Sequence, residues 1–194
     1  MAPVKVDPDR VHAFPDVGAF EAWLARNHDR EPEVWIKIHK VGSGLKSITP
    51  REAIDAVLCW GWIDGIRKGL DEQSFLQRYS PRGAKSVWSR INIDNVARLT
   101  AEGRMTEHGL KHVQAAKADG RWDRAYGGRT TITVPDDLAQ ALAAEPAAQE
   151  AFEGLDGANR YAVLWRVHTA VRPETRAKRI TALVQMLAEG RRIH

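Results

Sequence analysis

Apolar side chains at every second position, the pattern typical of a β-strand, occur only in the first half of this 194-residue chain. Residues 34–38 follow this pattern, and residues 62–68 and 74–79 predict a hairpin around a polar turn near residues 69–72. From Pro135 onward the apolar spacing is helical. We therefore predict an α+β fold: a small antiparallel sheet with packed helices, followed by an all-helical C-terminal unit.

Capping signals place the first two helices. Residues 1–15 are expected to form an exposed lead-in, after which Asp16 is the candidate N-cap of a short helix. Thr49, Pro50 and Glu52 form the pattern of a capping box, which predicts a second helix starting at Pro50.

Further helices are expected after the hairpin. Ser86 is the candidate cap of a helical turn, and Asn92 or Asp94 the candidate cap of a longer helix that ends at Gly103. Residues 107–119 predict another helix with one buried side. Composition changes at a Gly-, Arg- and Thr-rich stretch, so we predict a domain at residues 1–125, a linker at 126–133 and a helical domain at 134–194.

Charge and cysteine content limit the setting of the protein without naming a partner. The formal net charge is +4, with 29 Lys plus Arg against 25 Asp plus Glu. Cys59 is the single cysteine and cannot form an internal disulfide, which is typical of a reducing compartment. The sequence shows neither an export signal nor an apolar run long enough to span a membrane. We therefore expect a cytoplasmic protein without membrane insertion.

Familiar catalytic and cofactor motifs are absent from the sequence. There is no P-loop, dinucleotide fingerprint, paired-cysteine zinc site or nucleophile elbow, so enzymatic activity is disfavoured but left open, and no cofactor or metal is expected. Cys59 follows apolar residues at a helix end, which favours a buried small hydrophobe over a nucleophile. His108 and His112 have a spacing that suits metal ligands, but Gly109 weakens a helix there, and surface histidines are expected.

Tryptophan side chains and cations are interleaved in the segment from residue 60 to residue 88. The loop at residues 80–86 adds hydroxyls, bases and backbone amides next to an expected helix start, a combination that favours a phosphate or carboxylate. The alternative is packing of the tryptophans in the core, with the bases as a solvated rim, and the density of aromatic and charged residues favours a site over it. The candidate ligand-binding residues are Trp60, Trp62, Asp64, Arg67, Arg78, Tyr79, Arg82, Lys85, Ser86 and Trp88.

A second basic cluster opens the last helix. Arg172, Arg176 and Arg179 share one side of it. Residues 131–159 carry six acids and no Lys or Arg, whereas residues 160–194 carry eight bases and two acids. The basic side chains are expected either to meet the acidic helices that precede them or to contact a phosphate-bearing partner.

Several motifs in order resemble one bacterial family. They include residues 59–65, 79–82 and 86–92, then 102–105 and 118–122, and finally 173–176, 179–180 and 189–191. With these motifs the chain resembles the YdeI/OmpD-associated, or bacteriocin-protection, family over roughly residues 14–192. The resemblance implies a link to stress or antimicrobial-peptide resistance, and it implies no established activity or catalytic residue.

Two functions of different classes therefore remain. The first is a protein that binds a small molecule or anion, such as a phosphate or carboxylate, in a cleft formed by the hairpin segment. The alternative is a nucleic-acid or protein-interaction module that uses the basic hairpin and the C-terminal helix. The sequence leaves the oligomeric state open.

Overall fold

The computed structural model describes residues 4–194, which fall into two compact units. The first comprises the described residues up to Ser86 together with Asn92–Asp123, and the second comprises Val87–Ile91 and Arg124–His194. Within residues 4–194 the α+β class is confirmed: one four-stranded sheet is accompanied by eight α-helices. The predicted limits of the two domains and of the linker stay a prediction.

The sheet of the first unit contains the three predicted strands and one that was not predicted. Its order is β1 (Val11–His12), β2 (Val34–His39), β4 (Ser74–Pro81) and β3 (Trp62–Gly69). β2, β4 and β3 pair antiparallel, as predicted, whereas the short β1 pairs parallel with β2. The expected exposed lead-in is wrong for residues 11–14, because β1 joins the sheet edge and the following Phe14 is buried. Residues 4–9 are mostly exposed, as predicted, and residues 1–3 lie outside the described residues.

The helices of the first unit begin largely where their caps predict. Asp16 accepts a hydrogen bond from the backbone of α1 (Val17–Asn27), and Thr49 and Glu52 form the capping box of α2 (Pro50–Cys59). Side chains of both helices pack in the same hydrophobic core as Val34, Ile36 and Ile38, the buried residues on the apolar face of β2. α4 (Glu107–Ala118) also agrees with its prediction.

The start of α3 (Arg90–Ala101) differs from the predicted starts. The backbone N–H of Ser86 donates to the Gly83 carbonyl in a turn, and residues 87–89 are not helical, so Ser86 does not cap a helical turn. At the true start the Arg90 N–H donates to the carbonyl of Tyr126 at 2.9 Å. A backbone group distant in sequence thus satisfies this end of the helix, and neither Asn92 nor Asp94 is its cap.

The second unit is helical from residue 136 to residue 188, as predicted. Its helices are α5 (Asp136–Ala143), α6 (Pro146–Glu153), α7 (Gly157–His168) and α8 (Pro173–Ala188). Their apolar sides bury Leu138, Leu142, Val163, Val167 and Leu187 in one cluster. None of the helices within residues 4–194 is long and apolar enough to cross a membrane.

Candidate functional site

Two predicted site residues are part of the core of the first unit. Trp62 is 1% exposed; its Nε1 donates to the carbonyl of His28 at 2.9 Å, and its ring meets Trp23 edge to face. Tyr79 is fully buried beside Phe20, and burial raises the pKa of its hydroxyl. Both side chains stabilise the sheet, as the packing alternative suggested.

The charged hairpin residues have partners of their own or face solvent. Arg78 forms an ion pair with Glu33, with 2.6 Å between Nη2 and Oε2. Arg67 donates to Gln77 and lies over the Phe75 ring at 4.1 Å.

The exposed Asp64 lies on the same strand as Arg67, but a bulge separates them. The pairing register of β3 with β4 shifts between Asp64 and Arg67. A bulge re-aims the side chains that follow it, so period-2 reasoning from Trp62 does not extend beyond Asp64.

The predicted site residues of the loop after β4 lie in different environments. Arg82 is buried and Lys85 is exposed. The carbonyl of Ser86 accepts a hydrogen bond from Nη1 of Arg121 at 2.9 Å. Trp88 is buried and belongs to the second unit. Ligand binding by this set of residues stays a prediction.

A small cavity of the first unit brings Trp60 and Trp62 together with histidines. Its volume is about 270 Å³. We call it the histidine pocket; its lining residues are His28, Asp29, Trp60, Gly61, Trp62, Pro81, His108, Lys111 and His112.

Three rings form a compact cluster at this pocket. The centroids of His28 and His108 lie 3.9 Å apart, and His28 lies 4.9 Å from Trp60; both pairs of rings are tilted. Trp60 and His108 are nearly parallel, with 15° between their planes. The cluster joins the C-terminal end of α1, the end of α2 and the first turn of α4.

Two glycines allow α4 to approach α2 closely. A Cβ on Gly109 would lie 2.4 Å from the Cys59 carbonyl oxygen, and Thr106 donates its hydroxyl to the same oxygen at 2.6 Å. Gly61 has a φ of 73°, and a Cβ there would lie 2.5 Å from the ring of His112. Gly109 therefore permits the close crossing of α4 and α2 that places His108 and His112 at the pocket.

The surroundings of the pocket are electropositive. Burial lowers the pKa of His112, and the charges of Arg82, Lys111 and Arg121 lower it further. Nδ1 of His28 lies 3.0 Å from the Leu24 carbonyl, which can only accept, so Nδ1 carries a proton.

The opposite ring nitrogen of His28 faces no protein partner among residues 4–194. This nitrogen, Nε2, is buried. Within the same residues no three His, Cys, Asp or Glu side chains are placed to hold a metal ion.

Comparison with protein families separates the same two parts of the chain. Residues 12–112 match the family model described as "Domain of unknown function (DUF8412)". The chain belongs to this family. Residues 131–190 match the model described as "Bacteriocin-protection, YdeI or OmpD-Associated", which confirms the resemblance to the YdeI/OmpD-associated family over this part of the predicted range 14–192. No curated protein and no solved structure matches the chain.

The hairpin motifs and the histidine pocket therefore lie within the DUF8412 segment, while the basic helix lies within the YdeI/OmpD-associated segment. In that helix Arg176 meets an acidic helix: it forms an ion pair with Asp137 of α5 and also donates to the Val167 carbonyl. Arg179 donates to the Arg166 carbonyl at 2.7 Å. Arg172 is exposed.

Sequence reasoning missed the histidines of the DUF8412 segment. His108 is exposed, as expected for a surface histidine, but its ring packs on His28, and His112 is half-buried. The sequence did contain one signal for the pocket: Gly109 lies between two histidines that share one side of a helix. A glycine inside a helix can mark a position where a second backbone approaches closely.

Proposed function

We propose that the DUF8412 segment binds a small anion, a carboxylate or phosphate, in the histidine pocket. The observation that carries the proposal is the buried Nε2 of His28, which has no partner among residues 4–194 and belongs to a pocket with cationic surroundings. Buried polar atoms are nearly always satisfied, so an atom of this kind favours a ligand.

The charge of Lys111 favours a negative ligand. Arg82, Lys111 and Arg121 are all close enough to lower the pKa of His112, but Arg121 is paired with Asp119 at 2.8 Å. No carboxylate of residues 4–194 lies within 4.0 Å of Lys111 Nζ, and the one acid of the lining, Asp29, is 3.9 Å from Arg30. An anion would therefore meet one cation that no carboxylate of the described residues neutralises.

The size and walls of the pocket favour a compact ligand. A volume of about 270 Å³ lies just below the usual range for drug-sized ligands. Trp60, Trp62 and Pro81 supply apolar walls, and the histidines supply polar atoms. Such a pocket suits a small carboxylate or a phosphate better than a polymer.

His28 has one ring nitrogen left for a ligand. Its Nδ1 already donates to a carbonyl, so the neutral ring offers only a lone pair at Nε2, while the protonated ring offers an N–H donor. An anion would therefore accept a hydrogen bond from Nε2 of the doubly protonated ring, whereas Lys111 offers a charged donor in either case.

Calorimetric titration of the full chain tests the proposal with inorganic phosphate, sulfate and acetate as probes. We expect at least one probe to bind, and Lys111→Gln and His28→Gln each to weaken it by roughly tenfold, the effect of losing one charge-assisted hydrogen bond. Lys117→Gln is the matched control, because Lys117 is an exposed lysine of the same helix outside the pocket lining. No heat with any probe, or equal losses in Lys111→Gln and Lys117→Gln, overturns the proposal.

A further variant locates the site. Lys85→Gln tests the loop after β4: a loss confined to this variant would place the anion at the loop instead of the histidine pocket. The links to antimicrobial-peptide resistance and to the cytoplasm stay predictions.

A further inference from the structure

We propose that the second unit holds a separate nucleotide site, in which Trp165 stacks on the base and Arg166 and Arg179 bind the phosphate. The ligand is a nucleotide, either free or within a single strand. The site is independent of the histidine pocket: every residue that lines it belongs to the second unit.

Two cavities on this unit share Trp165 and Arg166. Their volumes are about 630 and 470 Å³, within the range of small-molecule sites. The first is lined by Trp165, Arg166, Thr169, Arg179, Ala182, Leu183, Gln185, Met186 and Arg191. The second is lined by Tyr126, Arg129, Ala158, Tyr161, Ala162, Trp165, Arg166 and His194. Arginine side chains line both cavities, and among the described residues no Asp or Glu side chain lines either one.

The hydrogen bonds of two arginines leave their charge without a counter-ion. Arg166 donates from Nη1 to the Ala162 carbonyl, and Arg179 donates from Nη1 to the Arg166 carbonyl and the Thr169 hydroxyl. No carboxylate of residues 4–194 lies within 4.0 Å of either guanidinium. Carbonyl groups thus hold both guanidinium groups in place, while most of their N–H donors remain for a ligand.

Two other arginines of this unit show the contrast. Arg176 is neutralised by Asp137, and Arg191, at the wall of the first cavity, is paired with Glu189. Of the three arginines that line the first cavity, Arg166 and Arg179 are therefore the two without a carboxylate partner among residues 4–194, and they lie there with Trp165.

Aromatic and apolar groups beside these cations determine the class of ligand. The half-buried Trp165 is braced by Tyr126, whose ring meets it edge to face at 6.2 Å. Leu183 and Met186 continue the apolar wall, and Gln185 adds an amide at the rim. A flat aromatic ring attached to a phosphate satisfies both parts of such a cavity, because bases stack on indole rings and guanidinium groups bind phosphates.

Arg179 also lies at the C-terminal end of α7, where a cation offsets the helix dipole. A substitution of Arg179 would therefore change stability as well as binding. Arg166→Gln is the better test, and Trp165→Leu is the second variant. Arg172→Gln is the matched control, since Arg172 is exposed and lines neither cavity.

The experiment titrates the full chain with AMP, ribose 5-phosphate, inorganic phosphate and a single-stranded oligonucleotide, and it follows the indole N–H signals by NMR. We expect AMP to bind roughly tenfold or more tightly than ribose 5-phosphate, because only AMP brings a base to stack. Arg166→Gln and Trp165→Leu should each weaken AMP by about tenfold, and Arg172→Gln should leave it unchanged.

The oligonucleotide arm distinguishes the two sources of the ligand. If the strand binds while AMP does not, and the same two substitutions weaken the strand, the nucleotide is recognised within a polymer. Equal affinity for AMP and ribose 5-phosphate, equal losses in Arg166→Gln and Arg172→Gln, or no binding of any probe overturns the proposal. The outcome is separate from the anion test, which depends on Lys111 and His28.

Discussion

Gly109→Ala should destabilise the first unit, although the same change inside a helix is ordinarily favourable by about 1 kcal/mol. The new Cβ would lie 2.4 Å from the Cys59 carbonyl oxygen and 2.7 Å from that of Leu58, against 3.4 Å or more for an ordinary contact. Both opposing atoms are backbone and cannot rotate away. α4 must therefore move by about 1 Å.

The size of the effect is the sum of three contributions. Overpacking costs roughly 1–3 kcal/mol, and weakening the hydrogen bond from Thr106 to Cys59 costs about 1 kcal/mol more. Subtracting the gain in helix propensity leaves a net loss of about 2 kcal/mol. Because His108 and His112 move with the helix, any ligand of the histidine pocket should bind more weakly as well.

Urea unfolding followed by circular dichroism measures the change, and Gly18→Ala is the control. Gly18 lies in α1 of the same unit, and a Cβ there would meet only the Asp16 carboxylate at 3.4 Å. Gly18→Ala should be neutral or stabilising by up to about 1 kcal/mol. If Gly109→Ala unfolds at the same urea concentration as Gly18→Ala, the close packing of α4 on α2 is refuted.

Three further substitutions test individual contacts. Thr49→Ala removes the capping box of α2 and should cost about 1 kcal/mol in urea unfolding, whereas Thr175→Ala on α8 should cost little. Trp62→Phe keeps an aromatic ring in the core but removes part of the buried indole and the hydrogen bond to the His28 carbonyl, so a loss of at least roughly 1 kcal/mol is expected and an unchanged midpoint would contradict it. The hydrogen bond from Arg176 lowers the pKa of Asp137, so the stability that this pair contributes is present above pH 3.8 and is lost as the pH falls below it. Asp137→Asn should therefore be less stable than the native protein at neutral pH. If the two proteins still differ in stability by the same amount in acid, the pairing is refuted.

The parts of the fold that local signals determine could be predicted from the sequence. The capping box at Thr49, the hairpin of β3 and β4, and the helical second unit all depend on neighbouring residues. β1 could not be predicted, because two residues carry no periodicity and form a strand only through pairing with β2. The start of α3 likewise depends on a carbonyl of Tyr126 that no local pattern indicates.

The candidate sites were harder to predict because they depend on contacts between distant segments. Trp60 and Trp62 were correctly grouped in sequence, but the rings that complete the histidine pocket come from α1 and α4. α4 reaches the pocket through the close packing of Gly109 against Cys59 of α2, and a single sequence does not show which backbone a glycine will approach.

Cation density in a sequence is a weak guide to an anion site, because it does not show which charges are already neutralised. The hairpin and the last helix both looked basic, yet Arg78 pairs with Glu33 and Arg176 with Asp137. Lys111 and Arg166 belong to no comparable cluster in the sequence, and within residues 4–194 no carboxylate lies within 4.0 Å of either. An anionic ligand gains most from a cation that is fixed in position and has no counter-ion. The partners of each cation therefore determine where an anion should bind more than the number of cations does.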